Sequence, residues 1–373
     1  MISLFLIFIL VPGALYSKSL KESSHGDRRK LPKGCASCHK GHGKHNTPML
    51  PENKDVFCFR CHGHDKNVQE TRKKGDLGSD TKSADLQREF EKPYHHPIER
   101  TGIHRYNEPL PETDPAIQRH SECGDCHHHH YTTEKDKIGG VRGITMNGAR
   151  VQDASFEYEL CFKCHLNSAN LPADQIGKLD AFDMRNASFH PVVAPGKNNT
   201  VPSLVNPLTP SSLIKCTDCH NNDDARGPRG PHGSKYRYML ARNYTETDGT
   251  EGPFQYELCY GCHRRSSILA NESFQFHNLH ISLGGVSCRT CHNSHGSARN
   301  THLIDFDNNS SVRPAKSGRL EFIDLGQRAG QCFLNCHNKE HDSLDYPTAQ
   351  MKPAKTPAGP YTPPGFFNNR RLR

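Results

Sequence analysis

The sequence predicts a mainly irregular chain of loops and short α-helices, with little or no β-sheet, ordered around bound groups instead of a conventional apolar core. Three observations predict it. Of 373 residues only 33% are apolar, tryptophan is absent, glycine and proline number 30 and 25, and mean hydropathy is −0.79. Such a chain buries too little apolar surface to offset its conformational entropy unaided. No run alternates apolar and polar residues long enough to propose a sheet. Against disorder stand 16 Cys and 26 His, residue types that hold cofactors and metals.

The one long apolar run lies at the start, LFLIFILV from Leu4 to Val11. It falls short of the roughly 20 residues a membrane-spanning helix needs. It reads as a secretory signal over residues 1–17, cleaved after the small residue Ser17, although no Lys or Arg precedes it; the alternative is an uncleaved anchor. Cys35, the first cysteine, is too distant to carry a lipid. A periplasmic or extracellular chain is therefore expected.

The cysteines fall in eight pairs with none left over, and each pair is followed at once by His. Seven read CxxCH: Cys35, Cys38 and His39; Cys58, Cys61 and His62; Cys123, Cys126 and His127; Cys161, Cys164 and His165; Cys216, Cys219 and His220; Cys259, Cys262 and His263; Cys288, Cys291 and His292. The eighth, Cys332, Cys336 and His337, is one residue longer. CxxCH is the attachment signature of haem c, with two thiols bonding the porphyrin edge and the His placed under the iron. Disulfides or zinc ribbons would explain paired cysteines but give the adjacent His no role. A thioredoxin-like redox pair occurs once on a βαβ scaffold, not eight times. Eight pairs predict eight covalently bound haems.

On these motifs the chain resembles a multihaem (octahaem) c-type cytochrome with doubled CxxCH motifs, from Cys35 to about Tyr346. The resemblance implies electron transport in the periplasm or outside the cell, with other cytochromes or redox proteins as partners.

Internal repeats predict dihaem modules. The stretch FEYELCFKCH from Phe156 to His165 is matched by FQYELCYGCH from Phe254 to His263, each following a site with Asp before its second Cys. CASCHKGHG from Cys35 likewise matches CRTCHNSHG from Cys288. The modules are drawn at 18–95 (with a charged linker, Lys66 to Lys92, read as solvated), 96–200, 201–275 and 276–346, followed by a Pro-rich basic tail at 347–373. Leu166 to Lys215, rich in Pro and Asn, resists regular structure. The motifs are expected on short helical turns, with helices over Gln118–His127 and Glu157–His165.

Eighteen histidines lie outside the motifs, against six methionines, so each iron is expected to take a second imidazole. His42 and His295 follow a motif His by three residues; they remain on the proximal side of their own haem and must serve a neighbour. His341, four beyond His337, reads the same way. His96 and His190 precede proline, which favours an extended backbone. His25, His120, His232, His277 and His280 complete ten candidates for eight places. His128, His129 and His130 read as a surface loop, while His45, His64, His95, His104 and His302 are reserves.

The net charge of +8 is no case for nucleic acid. Sixteen propionates against eight ferric cores bring the oxidised total to roughly zero, if all propionates are ionised. The expected function is electron transfer along closely spaced haems, with no catalytic residue. Head-to-tail growth into a homopolymeric filament is a form this function can take. The rival is an octahaem reductase acting on nitrite, hydroxylamine or tetrathionate, which would need one iron with an open position.

Overall fold

The computed structural model of the chain describes residues 20–41, 49–50, 54–98, 110–111, 113–114, 116, 121–171, 177–306, 311–326 and 328–346. The expected signal, the basic tail, and His42, His45, His104 and His120 lie outside them.

Seven motifs sit on helical turns, as their spacing predicts. Four helices run from first to second cysteine: Cys35–Cys38, Cys123–Cys126, Cys216–Cys219 and Cys288–Cys291. Helices Lys54–His62 and Glu157–His165 carry theirs in the last turn, and Glu257–Tyr260 opens the turn around Cys259. The motif His closes the turn by donating its amide to the first cysteine's carbonyl, at 2.8 Å for His39 and His220 and 2.9 Å for His263 and His292. Both thiols and the imidazole are thereby gathered on one turn. Acids cap these turns: Asp125, Asp218 and Glu159 each reach back to the amide that opens the helix, as an N3 acid does. The repeated Asp before the second Cys is thus a cap. Of the expected helix over Gln118–His127, residues 118–120 lie outside the described residues and the rest forms Cys123–Cys126, with Glu122 extended (φ −126, ψ 153) before it.

The expectation of little or no sheet holds in part: loop and short helices dominate, and the strands that form are few and antiparallel. Among the described residues three two-residue ladders form: Tyr94–His95 with Gly233–Ser234, Gly143–Ile144 with Arg150–Val151, and Ser188–Phe189 with Gly296–Ser297. A larger antiparallel sheet builds the C-terminal end. Strand Gly330–Cys336 pairs with Lys339–Tyr346, and Val312–Arg313 and Glu321–Asp324 add to it. The eighth motif therefore lies on a strand. Its helical reading fails because the added residue suits the two-residue period of a strand, which returns Cys332 and Cys336 to one face.

Apolar packing is divided. The largest cluster holds Ile144, Phe162, Leu166, Phe182, Phe189 and Val192. Smaller ones pack on motif cysteines: Leu31, Val68 and Leu77 on Cys38 and Cys61; Tyr256, Tyr260 and Ile281 on Cys259 and Cys288; Phe306, Val312 and Leu334 on Cys291, Cys332 and Cys336. The charged linker is less solvated than expected, since it buries Val68, Leu77 and Phe90. The Pro- and Asn-rich segment supplies Phe182, Phe189 and Val192.

Two of the ladders have a strict requirement for glycine. A Cβ on Gly233 would stand 1.8 Å from the Glu89 carbonyl oxygen, and one on Gly296 1.9 Å from that of Ala181. Gly233→Ala and Gly296→Ala should each destabilise the protein by about 2 kcal/mol or more, whereas Gly249→Ala, with nothing within 4 Å, should stay within about 0.5 kcal/mol. Thermal unfolding followed at the Soret band checks both. An unchanged melting temperature in the first two would show that the close approach is not needed.

Candidate haem sites

A single cavity of about 2950 Å³ is lined by all sixteen cysteines and by seven of the eight motif histidines. Successive motifs adjoin one another along it. Cys38 packs with Cys61, Cys161 hydrogen-bonds Cys216, Cys259 hydrogen-bonds Cys288, and Cys291 packs with Cys332 and Cys336. Cys161 is close enough to raise the proton affinity of Cys126, and Cys262 that of Cys219. Burial first, then these neighbours, pushes Cys61 up to about 11 and Cys126, Cys219 and Cys291 up to about 12. No disulfide joins any of the sixteen cysteines.

Histidines face one another across this cavity at one recurring distance. Ring centroids are 6.1 Å apart for His39 and His130, His25 and His62, His127 and His232, and His220 and His295. They are 6.3 Å apart for His96 and His165, 6.4 Å for His277 and His292, and 6.2 Å for His280 and His341. That gap is too wide for ring packing or a hydrogen bond. Two imidazole–metal bonds of about 2 Å each, added to the reach of each ring, place centroids at this separation. His190 lies near His263: after burial, it is the largest influence holding His263 down at about 4. His128 also lies 6.0 Å from His130, but its ring packs at 4.2 Å on Tyr131 and does not line the cavity.

The rings are prepared as ligands. A backbone carbonyl can only accept, so a ring Nδ1 bonded to one carries the hydrogen and leaves the Nε2 lone pair free. Among motif histidines, His127, His220 and His292 donate Nδ1–H to the carbonyls of Lys137, Tyr238 and His302 at 2.8, 2.8 and 2.9 Å. Among their partners, His25, His96 and His280 donate to His129, Pro231 and Phe276 at 2.8, 2.7 and 2.8 Å, and His190 donates to Ser294. Burial disfavours the charged form, pushing His62 down to about 4 and His232 and His277 to about 3. His232 Nδ1 is buried with no partner. Paired thiols on a turn beside an imidazole, and a second imidazole across a gap of metal-bonding width, fit haem c at the helical motifs.

The partner rings arrive by a repeated device. His96 follows the strand Tyr94–His95, and His232 precedes its ladder partner Gly233–Ser234. His190 and His295 flank the ladder of Ser188–Phe189 with Gly296–Ser297 in the same way. The loops that receive the motif rings also repeat: Ser234 and Ser297 each donate to a carbonyl, Leu240 or Ile304, at 2.6 Å. His95, a reserve, turns its Nδ1 to the His96 carbonyl.

The sequence reading missed His130, which faces His39. The signal was present, since His130 follows His127 by three residues as His295 follows His292. Two reserve histidines are engaged elsewhere: His64 between Asp85 and Glu91, at 2.9 and 2.8 Å, and His302 between Asn198 and Asp324, at 2.9 and 3.2 Å. His337 departs from its expected place. Its ring is absent from the cavity lining and its Nε2 bonds Asp248 at 2.8 Å. The strand also separates the α-carbons of Cys332 and Cys336 by about 13 Å, against about 5 Å across a helical turn, so this pair does not fit a doubly attached porphyrin edge as the other seven do.

Two families match parts of the chain: residues 215–293 match the family model of cytochrome c554 and c-prime, and residues 30–67 match that of the doubled CXXCH motif. No curated protein and no solved structure matches it. With the motifs, these matches support a multihaem c-type cytochrome that binds haem c covalently.

His130→Ala should turn one haem from low to high spin in the oxidised EPR spectrum, while His129→Ala leaves the spectrum unchanged; equal spectra would dissolve the pairing with His39. Denatured holoprotein treated with iodoacetamide should take up one label, on Cys332 or Cys336, and none on the other fourteen cysteines. Full protection would mean that the eighth motif attaches like the rest.

Proposed function

We propose that this chain is an exported octahaem electron carrier, moving electrons along closely spaced bis-His haems between periplasmic or extracellular redox partners. The observation that carries the reading is the set of seven histidine pairs facing one another at 6.1–6.4 Å, with His190 near His263 as well, in one continuous cavity lined by the cysteines of every motif. Haem supplies a reversible one-electron iron couple whose potential follows its axial ligands and surroundings. The chain's own work is to hold two neutral imidazoles toward each site, fix their tautomers through backbone carbonyls, and exclude water with small apolar clusters. Lys163, Lys178, Lys197, Lys215 and Arg289 line the cavity, where cations pair with propionates and tune potential.

Two imidazoles at every iron leave no open position for nitrite, hydroxylamine or tetrathionate, which weighs against the reductase reading. Monomer and head-to-tail filament both agree with the electron-transfer reading, and electron microscopy of the purified protein separates them.

Intact mass combined with a pyridine haemochrome assay should count eight haems per chain, and the oxidised EPR spectrum should be low spin throughout. A high-spin signal accompanied by nitrite turnover would instead favour the reductase. Colourless folded protein would end the haem reading altogether.

A further inference from the structure

The geometry points to His280 and His341, not His337, as the axial ligands of the eighth iron. This rests on the haem reading above but concerns a residue that the motif alone would assign otherwise.

The even-numbered sites share an order. His25 precedes the first motif and faces the His of the second. His96 precedes the third and faces that of the fourth, and His190 precedes the fifth and is coupled to that of the sixth. His280 precedes the seventh motif and is next in the series, which assigns it to the eighth site. The ring it faces at 6.2 Å is His341. His280 is anchored like the others, through Nδ1 to the Phe276 carbonyl.

The hairpin explains why His341 is the ring presented. Its strands close on the pair Cys336 and Lys339, leaving His337 and Asn338 as a two-residue turn with φ of 49° and 62°. Positive φ at both central residues is the hairpin-compatible turn that matches strand twist. The turn carries His337 off the end of the ladder. His341 lies directly across from Leu334, midway between Cys332 and Cys336 in register, so the three share one face with it. His341 lines the cavity, and its Nδ1 is buried without a partner.

His337 is held away by a separate set of bonds. Asp248 accepts from the Ser287 amide at 2.7 Å, the Thr290 hydroxyl at 2.6 Å and His337 Nε2 at 2.8 Å. The nitrogen that His127, His220 and His292 leave open by bonding through Nδ1 is in His337 spent on a carboxylate.

The test is histidine footprinting of the oxidised wild-type holoprotein with diethyl pyrocarbonate, read by peptide mass spectrometry. His64 and His302 serve as internal standards, being carboxylate-bonded and, at 39% and 42%, nearly as exposed as His337 at 50%. His337 should react within about threefold of them, whereas His280 and His341 should react at least about tenfold more slowly, since metal coordination occupies the reactive lone pair. A protected His337 overturns the inference, and so does a His341 that reacts at the rate of the standards. A haemochrome count on the same sample separates the two failures: coloured protein with His337 protected sinks this inference alone, while colourless protein sinks the haem reading with it.

Discussion

The rest of the structure depends on pairs of imidazoles held about 6 Å apart across one cavity. Left alone such an arrangement is unfavourable, because a buried polar nitrogen without a partner carries a desolvation penalty of about 1–3 kcal/mol. Metal between the rings removes that penalty at both nitrogens together. The chain has little else to stabilise it, since its apolar clusters are small and several lean on the very cysteines that would attach the porphyrins. Cofactor and core are thus the same thing here. Irregular backbone is tolerated because its job is to aim rings and receive their N–H groups, not to cover a continuous interior.

Aiming is done by very short elements. A two-residue ladder would be negligible as a sheet, yet Tyr94–His95 with Gly233–Ser234 fixes the chain on both sides of two partner histidines. The ladder between Ser188–Phe189 and Gly296–Ser297 repeats this for two more. Glycine lets one strand of each ladder pass close against a short helix, at the carbonyls of Glu89 and Ala181, and the carbonyls of Pro231 and Ser294 take the ring N–H of His96 and His190.

Much of the site was legible because attachment chemistry is local. Two thiols and an imidazole must lie on one turn, so spacing alone announces them, and Glu157–His165 is helical over the expected residues. The supply of histidine over methionine, and the three-residue spacing of His295 from His292, pointed to most of the partner rings. Which ring faces which was not legible, since pairs such as His39 with His130 or His96 with His165 are set by long-range packing. His130 was hidden by composition: in a run of four histidines the surface reading outweighed a spacing that already marked it. The C-terminal sheet was hidden for the opposite reason. A motif that elsewhere implies a helical turn was read as one more turn, although Cys332 and Cys336 stand at a strand's spacing.

The pairing also bears on how the modules cohere. His130 of the second module faces His39 of the first, His232 of the third faces His127 of the second, and His295 of the fourth faces His220 of the third. The second module in turn offers His190 to His263 of the third. A module cut from its neighbours would therefore keep its thiols but lose an imidazole at one or more irons. On the proposed reading, coordination would serve as the interface between units, in place of the apolar surface that usually joins repeats. An interface made of metal bonds is directional and short, so it fixes the order and closeness of the sites in the same act that holds the chain together.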